Sequence, residues 1–443
     1  MSQLYSSFST FWFNNIWVGQ KLTKKGQITS QDTKNLKWYQ KYRKILAIGI
    51  PCCIVWITYF TVMSFGSEIF KTENDFDIWT EIFCPGEVPN SCKNDENSKG
   101  TPRYYMTFVM IFGSLVAGAT SEGGGAIAFP FMTLVFSVKP TIARDFSLVI
   151  QSVGMTSALF TIFFMKVRLV QLHVIVLASI SSVFGISLGL EVLADLIPPI
   201  YIKMWFAVVF GSFAIALFLV NRHHDRQVFE QIADWNDSKK YFFTIPGINY
   251  NFNWRSIVII VGGFIGGILT ALTGSGMDIC LFSVLTLLFR VSEKTATPTS
   301  VVLMGINTVI GFLYRLIFQN GLEHEAYRFL AVCAPVVVVG APFGSYLSSN
   351  LSRIVLAWFI YILDAVQFIG ALVVLKPWNK NAWVLISSGM FLILAVAIFW
   401  LMNWQGLRIL NRRSKETDKE KEQEKDNLAF TLEFGSNENK IEP

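Results

Sequence analysis

Two acidic residues stand inside long apolar segments, each beside a cluster of glycines. Glu122 directly precedes Gly123–Gly125 in "SEGGGAIAFP", and Asp278 follows Gly274 and Gly276 in "TGSGMDI". A charged carboxylate at membrane depth is costly, so such a group usually faces a pathway or a partner. We therefore expect Glu122, Asp278 or both to exchange a proton or hold a cation. The alternative is structural, because a carboxylate can also cap the amides of its own broken helix.

The glycine clusters predict an anion site. Glycine lets the chain leave helical geometry, and a helix that starts again after such a break directs unpaired N–H groups and the positive end of its dipole into the cavity. Close packing of helices through glycine is the alternative for any single position. The predicted anion ligands at the two breaks are Gly123, Gly124, Gly125, Gly274, Ser275 and Gly276.

Polar side chains in the element after each break are further candidates. They are suited to contact the oxygens of an oxyanion, although such residues also bond backbone carbonyls or hold helices together. Asp364, in a later apolar run, either lines the pathway or is a satisfied buried group. The predicted substrate ligands are Ser147, Ser300 and Asn307. The full set of polar residues is Ser147, Gln151, Ser152 and Thr156 in the element after the first glycine cluster, and Ser300, Asn307 and Thr308 in the element after the second.

The composition indicates where these residues must lie. Of 443 residues, 52% are hydrophobic and 15% charged, whereas a soluble protein has about 25% charged residues. The apolar residues collect in segments long enough to cross a membrane. The net charge of +6 does not indicate nucleic acid, because the basic residues flank apolar segments and set their orientation. We predict an all-α polytopic membrane protein that is not an enzyme, with no catalytic residue, metal or cofactor.

From Tyr104 onward the apolar segments form two matching sets of five. Shifting the chain by 153 residues aligns Gly123 with Gly276 and Ser147 with Ser300. An odd number of crossings per copy means that the second copy enters from the opposite face, giving the inverted repeat of many secondary transporters. The second arm of each broken element has about 12 residues, roughly 18 Å as a helix, so it should end near the midplane of a layer about 30 Å thick.

Additional segments flank these two repeats. Lys and Arg beside the apolar runs place both termini in the cytoplasm. The loop before the first repeat holds Cys84 and Cys92, which either form a small disulfide or are free thiols. The tail alternates Lys and Glu and is predicted to be disordered. The segments are a cytoplasmic arm 1–44, a first transmembrane helix 45–65, a non-cytoplasmic loop 66–103, repeat one 104–220, a cytoplasmic linker 221–255, repeat two 256–375, a last transmembrane helix 383–402 and a charged cytoplasmic tail 403–443.

Together these residues resemble the sulfite exporter TauE/SafE family of membrane transporters over about residues 104–375. The first half supplies "EGGGAIAFP" and "ARDFS", the second "GSGMD" and "EKTATPTS", and the later helices "GISLG" and "GAPFG". The resemblance implies a transmembrane carrier for a small sulfur-containing anion such as sulfite or a sulfonate. Glu122 departs from the commoner family pattern, which has an apolar residue before the triple glycine.

Two other functions are alternatives to a carrier. An intramembrane aspartyl protease needs Asp directly after Gly-x-Gly and a second Asp after Tyr, whereas Met277 intervenes and Leu363 precedes Asp364. A non-transporting structural or assembly subunit is the stronger alternative. The expected partners are a small inorganic or organic anion, the lipid bilayer, and protons or a cation, with no nucleic acid; a homo-oligomer is left open.

Overall fold

The structure is a computed structural model whose described residues are mostly helical. Seven of the described helices are long and apolar enough to cross a membrane, which confirms the predicted all-α polytopic class. The amino-terminal arm as far as residue 41 and the loop containing Cys84 and Cys92 lie outside the described residues. The described residues are 42–69, 104–120, 122–166, 170–221, 229, 232, 243–245, 250–319, 321–350, 353–379 and 382–438.

The helices follow the predicted apolar segments closely. The linker between the repeats also contains a two-stranded antiparallel hairpin, β1 Phe243–Ile245 and β2 Tyr250–Phe252. The helices are α1 Arg43–Ile69, α2 Tyr104–Ala119, α3 Gly124–Val135, α4 Pro140–Lys166, α5 Leu172–Leu196, α6 Pro199–Asn221, α7 Trp254–Thr273, α8 Met277–Leu288, α9 Glu293–Phe318, α10 His324–Asn350, α11 Arg353–Leu375 and α12 Ala382–Glu438.

An irregular feature recurs in both copies at the predicted offset. The last part of α3 is a π-helical turn, Phe131–Val135, and the last part of α8 is another, Val284–Leu288. The chain leaves these turns through Ser137 and Arg290, which have positive φ values of 59° and 55°. Each of these features is separated from its counterpart by the same 153 residues that align the sequences. The two copies therefore share backbone details as well as sequence.

The helices of the two copies exchange partners. α2 packs on α10, while its counterpart α7 packs on α5, the counterpart of α10. α4 packs on its own counterpart α9, and α6 on its own counterpart α11. Glycines allow close approach, since a Cβ on Gly344 would collide with the Leu115 carbonyl and one on Gly185 with the Phe264 carbonyl. This exchange is the pattern that a pseudo-twofold relation produces.

Each break reverses the direction of the chain. A Cβ on Gly113 in α2 would lie 3.5 Å from Ile127 in α3, and one on Gly266 in α7 would lie 2.9 Å from the Cα of Met277 in α8. Residues on either side of a break are therefore neighbours, which requires a helical hairpin. Three helices follow each hairpin, α4 to α6 in the first copy and α9 to α11 in the second. Three crossings is still an odd number, so the inverted orientation stays the prediction.

The carboxyl-terminal segment differs from the expectation. α12 begins at Ala382 and continues to Glu438, so most of the charged tail is helical where the sequence predicted disorder. The disorder prediction rested on the charged composition of the tail and its alternating Lys and Glu, and such a composition does not by itself exclude a helix.

The first helix provides hydrogen bonds to α10 at a proline. Pro335 has no N–H and therefore leaves the carbonyl of Ala331, four residues earlier, without its helical donor. The Tyr59 hydroxyl donates to this carbonyl at 2.7 Å. Trp56 Nε1 donates to the carbonyl of Pro335 itself at 3.2 Å. α1 therefore helps to satisfy the backbone of a helix in the second repeat.

The same relation recurs one step further along α10. Pro342 leaves the carbonyl of Val338 without its helical donor, and Cys52 Sγ donates to that oxygen at 3.5 Å. On its other side α1 accepts a hydrogen bond from α4, because Thr161 Oγ1 donates to the Ala47 carbonyl at 3.0 Å. α1 is thus attached to both repeats.

Candidate anion-binding site

The two glycine clusters lie at the tips of the two hairpins, and the tips meet inside the protein. We call Glu122–Gly125 the first tip and Gly274–Asp278 the second tip. The Gly123 amide donates to Asp278 Oδ2 at 2.6 Å. A Cβ on Gly125 would lie 3.2 Å from the Cβ of Ser275. The starts of α3 and α8 are therefore brought to one place.

The second tip requires glycine for its backbone conformation. Gly274 has φ +79° and Gly276 has φ +151°, values that residues with a Cβ rarely adopt. A Cβ on Gly274 would also collide with the Cβ of Ser147 in α4. Ser147 is fully buried, and its hydroxyl has no hydrogen-bond partner among the described residues. The Ser147 hydroxyl is therefore available beside the second tip.

Gln151 of α4 fills the space beside the first tip, so a side chain at Gly123 or Gly125 would have to displace it. Gln151 Nε2 donates to the Gly274 carbonyl at 2.5 Å and to the Ser147 carbonyl at 3.2 Å. A Cβ on Gly123 would collide with Gln151 Oε1, and one on Gly125 would collide with Nε2. Gln151 therefore lies between the two tips and contacts both.

Gly124 is in a different situation from its neighbours. A Cβ there would meet Met110 Cε at 3.6 Å and Ala117 Cβ at 3.8 Å, which are ordinary contacts. Gly124 and Gly125 are the first residues of α3, so their N–H groups have no acceptor within the helix. A side chain could therefore be added at Gly124 without a collision, whereas the Gly124 amide belongs to the cluster of donors at the tip.

Asp278 occupies this cluster of donors. Its Oδ2 accepts from the Gly123 amide and from Ser275 Oγ, the latter at 3.1 Å. The backbone amides of Gly276 and Ile279 also interact with the carboxylate, and the residue has 0% exposure. Asp278 therefore does cap amides at a helix break, as the structural alternative predicted. It also accepts a hydrogen bond from the first hairpin, so the cap is not limited to the hairpin that contains Asp278.

Two more carboxyl groups lie next to Asp278. Glu122 in the first tip is 2% exposed and Asp364 in α11 is 0% exposed. The two interact with each other and with Asp278. In the part of the chain that the structure describes, none of the four carboxyl oxygens of Glu122 and Asp364 accepts a hydrogen bond. A carboxyl pair without donors is stabilised by a proton held between the two groups.

Asn307 and Ser300, two predicted substrate ligands, are placed less directly at the tips than Ser147. Asn307 Nδ2 donates to Thr270 Oγ1 at 3.0 Å, and the same hydroxyl oxygen accepts from the Met277 amide at 3.1 Å. Asn307 therefore positions the start of α8 through Thr270. Ser300 is fully buried, and its hydroxyl has no partner among the described residues. No described hydrogen bond connects Ser300 with either tip.

Most of the predicted site residues come together. The sequence named Gln151 as a further candidate but not as a predicted substrate ligand, although its place one turn after Ser147 was a usable signal. It also left the role of Asp364 undecided, because nothing in the sequence shows which apolar run faces Glu122. The predicted residues at or beside the tips are Glu122, Gly123, Gly124, Gly125, Ser147, Gly274, Ser275, Gly276 and Asp278.

An ion-pair network joins the two repeats close to this region. Asp145, with 0% side-chain exposure, pairs through Oδ1 with Arg144 Nε at 3.1 Å and through Oδ2 with Arg315 Nη2 at 2.6 Å. The Glu323 amide donates to the same Oδ2 at 3.1 Å. Asp145 thereby fixes α4 of the first copy against α9 of the second, one helical turn or less before Ser147.

Amide donors around a carboxylate suit proton exchange or anion binding better than they suit metal binding. Within the described ranges, no group of three or more His, Cys, Asp and Glu residues is arranged to hold a metal ion. The two buried acids at the tips, Glu122 and Asp278, are considered below as proton carriers.

Comparison with known proteins yields one match. The family model described as Sulfite exporter TauE/SafE matches residues 106–370. The matched segment begins in α2 and ends in α11, so it includes both hairpins and both tips and excludes α1 and α12. No curated protein and no solved structure matches the chain.

Proposed function

The chain belongs to the sulfite exporter TauE/SafE family, and we propose on this premise that it carries a small sulfur-containing anion, such as sulfite or a sulfonate, across a membrane. It is an integral, multi-pass membrane protein of a transporter family. The proposal extends from the family to this chain's own binding site, substrate class and coupling.

The observation that carries the proposal is the anion already held at the tips. The Asp278 carboxylate accepts hydrogen bonds from the Gly123 amide of the first hairpin and from the Ser275 hydroxyl of the second, and helix starts favour negative charge. A sulfur oxyanion presents several oxygens to the same kind of donor. We propose as its ligands the amides of Gly123–Gly125 and Gly274–Gly276 together with the hydroxyls of Ser275 and Ser147. Ser300 and Asn307 stay predictions of the sequence, and the Asn307 hydrogen bond to Thr270 favours a supporting role.

The proposed mechanism is alternating access between two inverted copies. If the hairpins enter from opposite faces, with both termini in the cytoplasm, each tip ends near the midplane and one substrate site serves both faces. Glu122 or Asp278 would exchange a proton while the anion moves. Their burial beside the tips supports this coupling, because a charged acid next to a bound anion is repelled until it is neutralised.

Flux through purified protein tests the proposal. We expect proteoliposomes to move sulfite, or another member of a panel of inorganic and organic sulfur anions, down its gradient. Gly123→Ala should lower the rate about tenfold or more, because forcing a methyl group against Gln151 costs about 1–3 kcal/mol.

Gly113→Ala in α2, outside both tips, is the matched control. Its added methyl group meets only ordinary contacts, the nearest being Ile127 Cγ2 at 3.5 Å, so flux and folding should be close to wild type. Absence of flux for every anion in the panel, from correctly folded wild-type protein, would contradict the carrier. A protein without flux that binds other membrane proteins would support the structural or assembly subunit instead.

A further inference from the structure

We propose that Asp278 is a tethered competitor of the transported anion: its carboxylate fills the amide cluster while no substrate is bound, and substrate takes this place when a proton neutralises Asp278. The inference rests on the proposed function, because it describes how the same site is emptied and filled. It also selects Asp278, rather than Glu122, as the acid that exchanges with the substrate.

The contacts of Asp278 are those expected of a bound anion. The Gly123 amide at 2.6 Å and the Ser275 hydroxyl at 3.1 Å both donate to Oδ2. The amides of Gly276 and Ile279 interact with the same carboxylate. A free anion in this position would need these donors, so Asp278 and substrate compete for them.

The contact with Gly123 distinguishes a competitor from a simple helix cap. A cap of α8 needs only amides of its own helix start, such as those of Gly276 and Ile279. The 2.6 Å bond from the Gly123 amide instead crosses to the other hairpin, 155 residues away in the chain. Asp278 Oδ1 has no hydrogen-bond donor among the described residues. The carboxylate therefore joins the two tips, and this bond has to break if the hairpins separate.

The surroundings of Asp278 provide no positive charge that would let it stay ionised beside a substrate anion. The titratable groups that interact with it are Glu122 from the first tip, Asp364 from α11 and Cys280 from α8. All three are acids or a thiol, so a second anion at the tips adds repulsion. Uptake of a proton by Asp278 removes its charge, weakens its hold on the Gly123 amide and frees that donor.

The exchange balances in charge without any covalent change. The ionised carboxylate takes up one proton and becomes a neutral carboxyl group, and one anion takes its place on the amides. Binding of a monovalent anion therefore brings in one proton. Release of the anion returns the proton to solution and restores the bond between Asp278 and Gly123.

Calorimetry of the purified full-length protein tests this exchange. The probes are methanesulfonate and inorganic sulfate, which stay ionised near neutral pH, so any proton taken up goes to the protein. Binding heats are measured in two buffers with different ionisation enthalpies, from about pH 6 to about pH 8. We expect uptake of about one proton per anion in the upper part of this range and an affinity that rises up to about tenfold for each unit of falling pH.

Asp278→Asn should bind the probes without proton uptake and with an affinity that no longer depends on pH. Asp364→Asn, which neutralises an equally buried acid that does not receive the tip amides, should retain the uptake. Melting and size-exclusion profiles establish that each variant is folded. An Asp278→Asn protein that keeps wild-type proton uptake would overturn the inference.

The wild-type measurement decides the question even if the variant does not fold. Anion binding without proton uptake at any pH in the range would overturn the tethered competitor while leaving the carrier intact. Failure of wild-type protein to bind or transport any anion of the sulfur panel, including sulfite, sulfate and methanesulfonate, would overturn the proposed function, and this inference with it.

Discussion

Gln151 determines which glycines of the first tip can be replaced. Its side chain occupies the positions where Cβ atoms of Gly123 and Gly125 would lie, and it leaves Gly124 open. The sequence predicted three equivalent glycines, because a glycine run shows where the backbone is free but not which neighbour uses the space. Only a helix from elsewhere in the fold, here α4, makes the three positions different.

This difference predicts a compensating pair of substitutions. Gly125→Ala should reduce flux strongly, and Gly125→Ala combined with Gln151→Ala should recover part of it, because the smaller side chain makes room for the methyl group. Recovery will be incomplete, since loss of the Gln151 bond to the Gly274 carbonyl costs about 1–3 kcal/mol. A double-mutant cycle on flux and melting temperature measures the coupling; strictly additive effects would contradict the contact.

Asp145 predicts a large effect on stability. Asp145→Ala leaves Arg144 and Arg315 close together without their shared counter-charge, and breaking a buried pair in this way costs about 3–5 kcal/mol. The melting temperature of the protein in detergent should fall accordingly. Glu323→Ala is the control, because only the Glu323 backbone amide reaches Asp145. Equal melting temperatures for the two variants would count against the network.

At the scale of elements, the sequence located the breaks but not the hairpins. Hydropathy and glycine placement predicted segments that end near 120 and 273, and α2 and α7 end at Ala119 and Thr273. Neither pattern carries information on whether the chain continues or reverses after the break. The reversal depends on contacts between α2 and α3 and between α7 and α8, which involve side chains of different segments.

The contacts of α1 with α10 predict that a helix outside the family segment contributes to the thermal stability of the protein. Tyr59→Phe removes the donor to the Ala331 carbonyl that Pro335 leaves free. A carbonyl that loses its partner away from water costs about 1–3 kcal/mol, and the partly buried position of this bond predicts a loss of thermal stability at the lower end of that range. Tyr105→Phe, the same change at an exposed tyrosine in α2, should have little effect. An unchanged melting temperature for Tyr59→Phe would show that α1 is not needed to satisfy α10.

At the scale of the whole molecule, the 153-residue repeat was the most informative feature of the sequence. It predicted the correspondence of elements that the structure shows, including paired π-helical turns that hydropathy cannot reveal. Orientation in the membrane stays a prediction from the Lys and Arg distribution.

Glycosylation mapping tests that orientation. With both termini in the cytoplasm, an Asn-x-Ser acceptor introduced between residues 70 and 103 should receive sugar in microsomes. The existing Asn-x-Ser sequences at Asn236 and Asn350 should not, because they face the cytoplasm. Sugar on Asn236 or Asn350 would reverse the topology.

The two copies have corresponding helices but different residues at their tips. At the repeat offset Asp278 corresponds to Gly125, and Glu122 corresponds to Ser275, so each acid has a small residue as its counterpart. A carrier with identical halves would have empty states of equal free energy facing either side. Because the two tips differ, we expect the empty states of this protein to differ in free energy and the unloaded protein to have a preferred resting side. Apparent anion affinities measured from opposite faces of one membrane should therefore be unequal, even though net movement stops when the concentrations match.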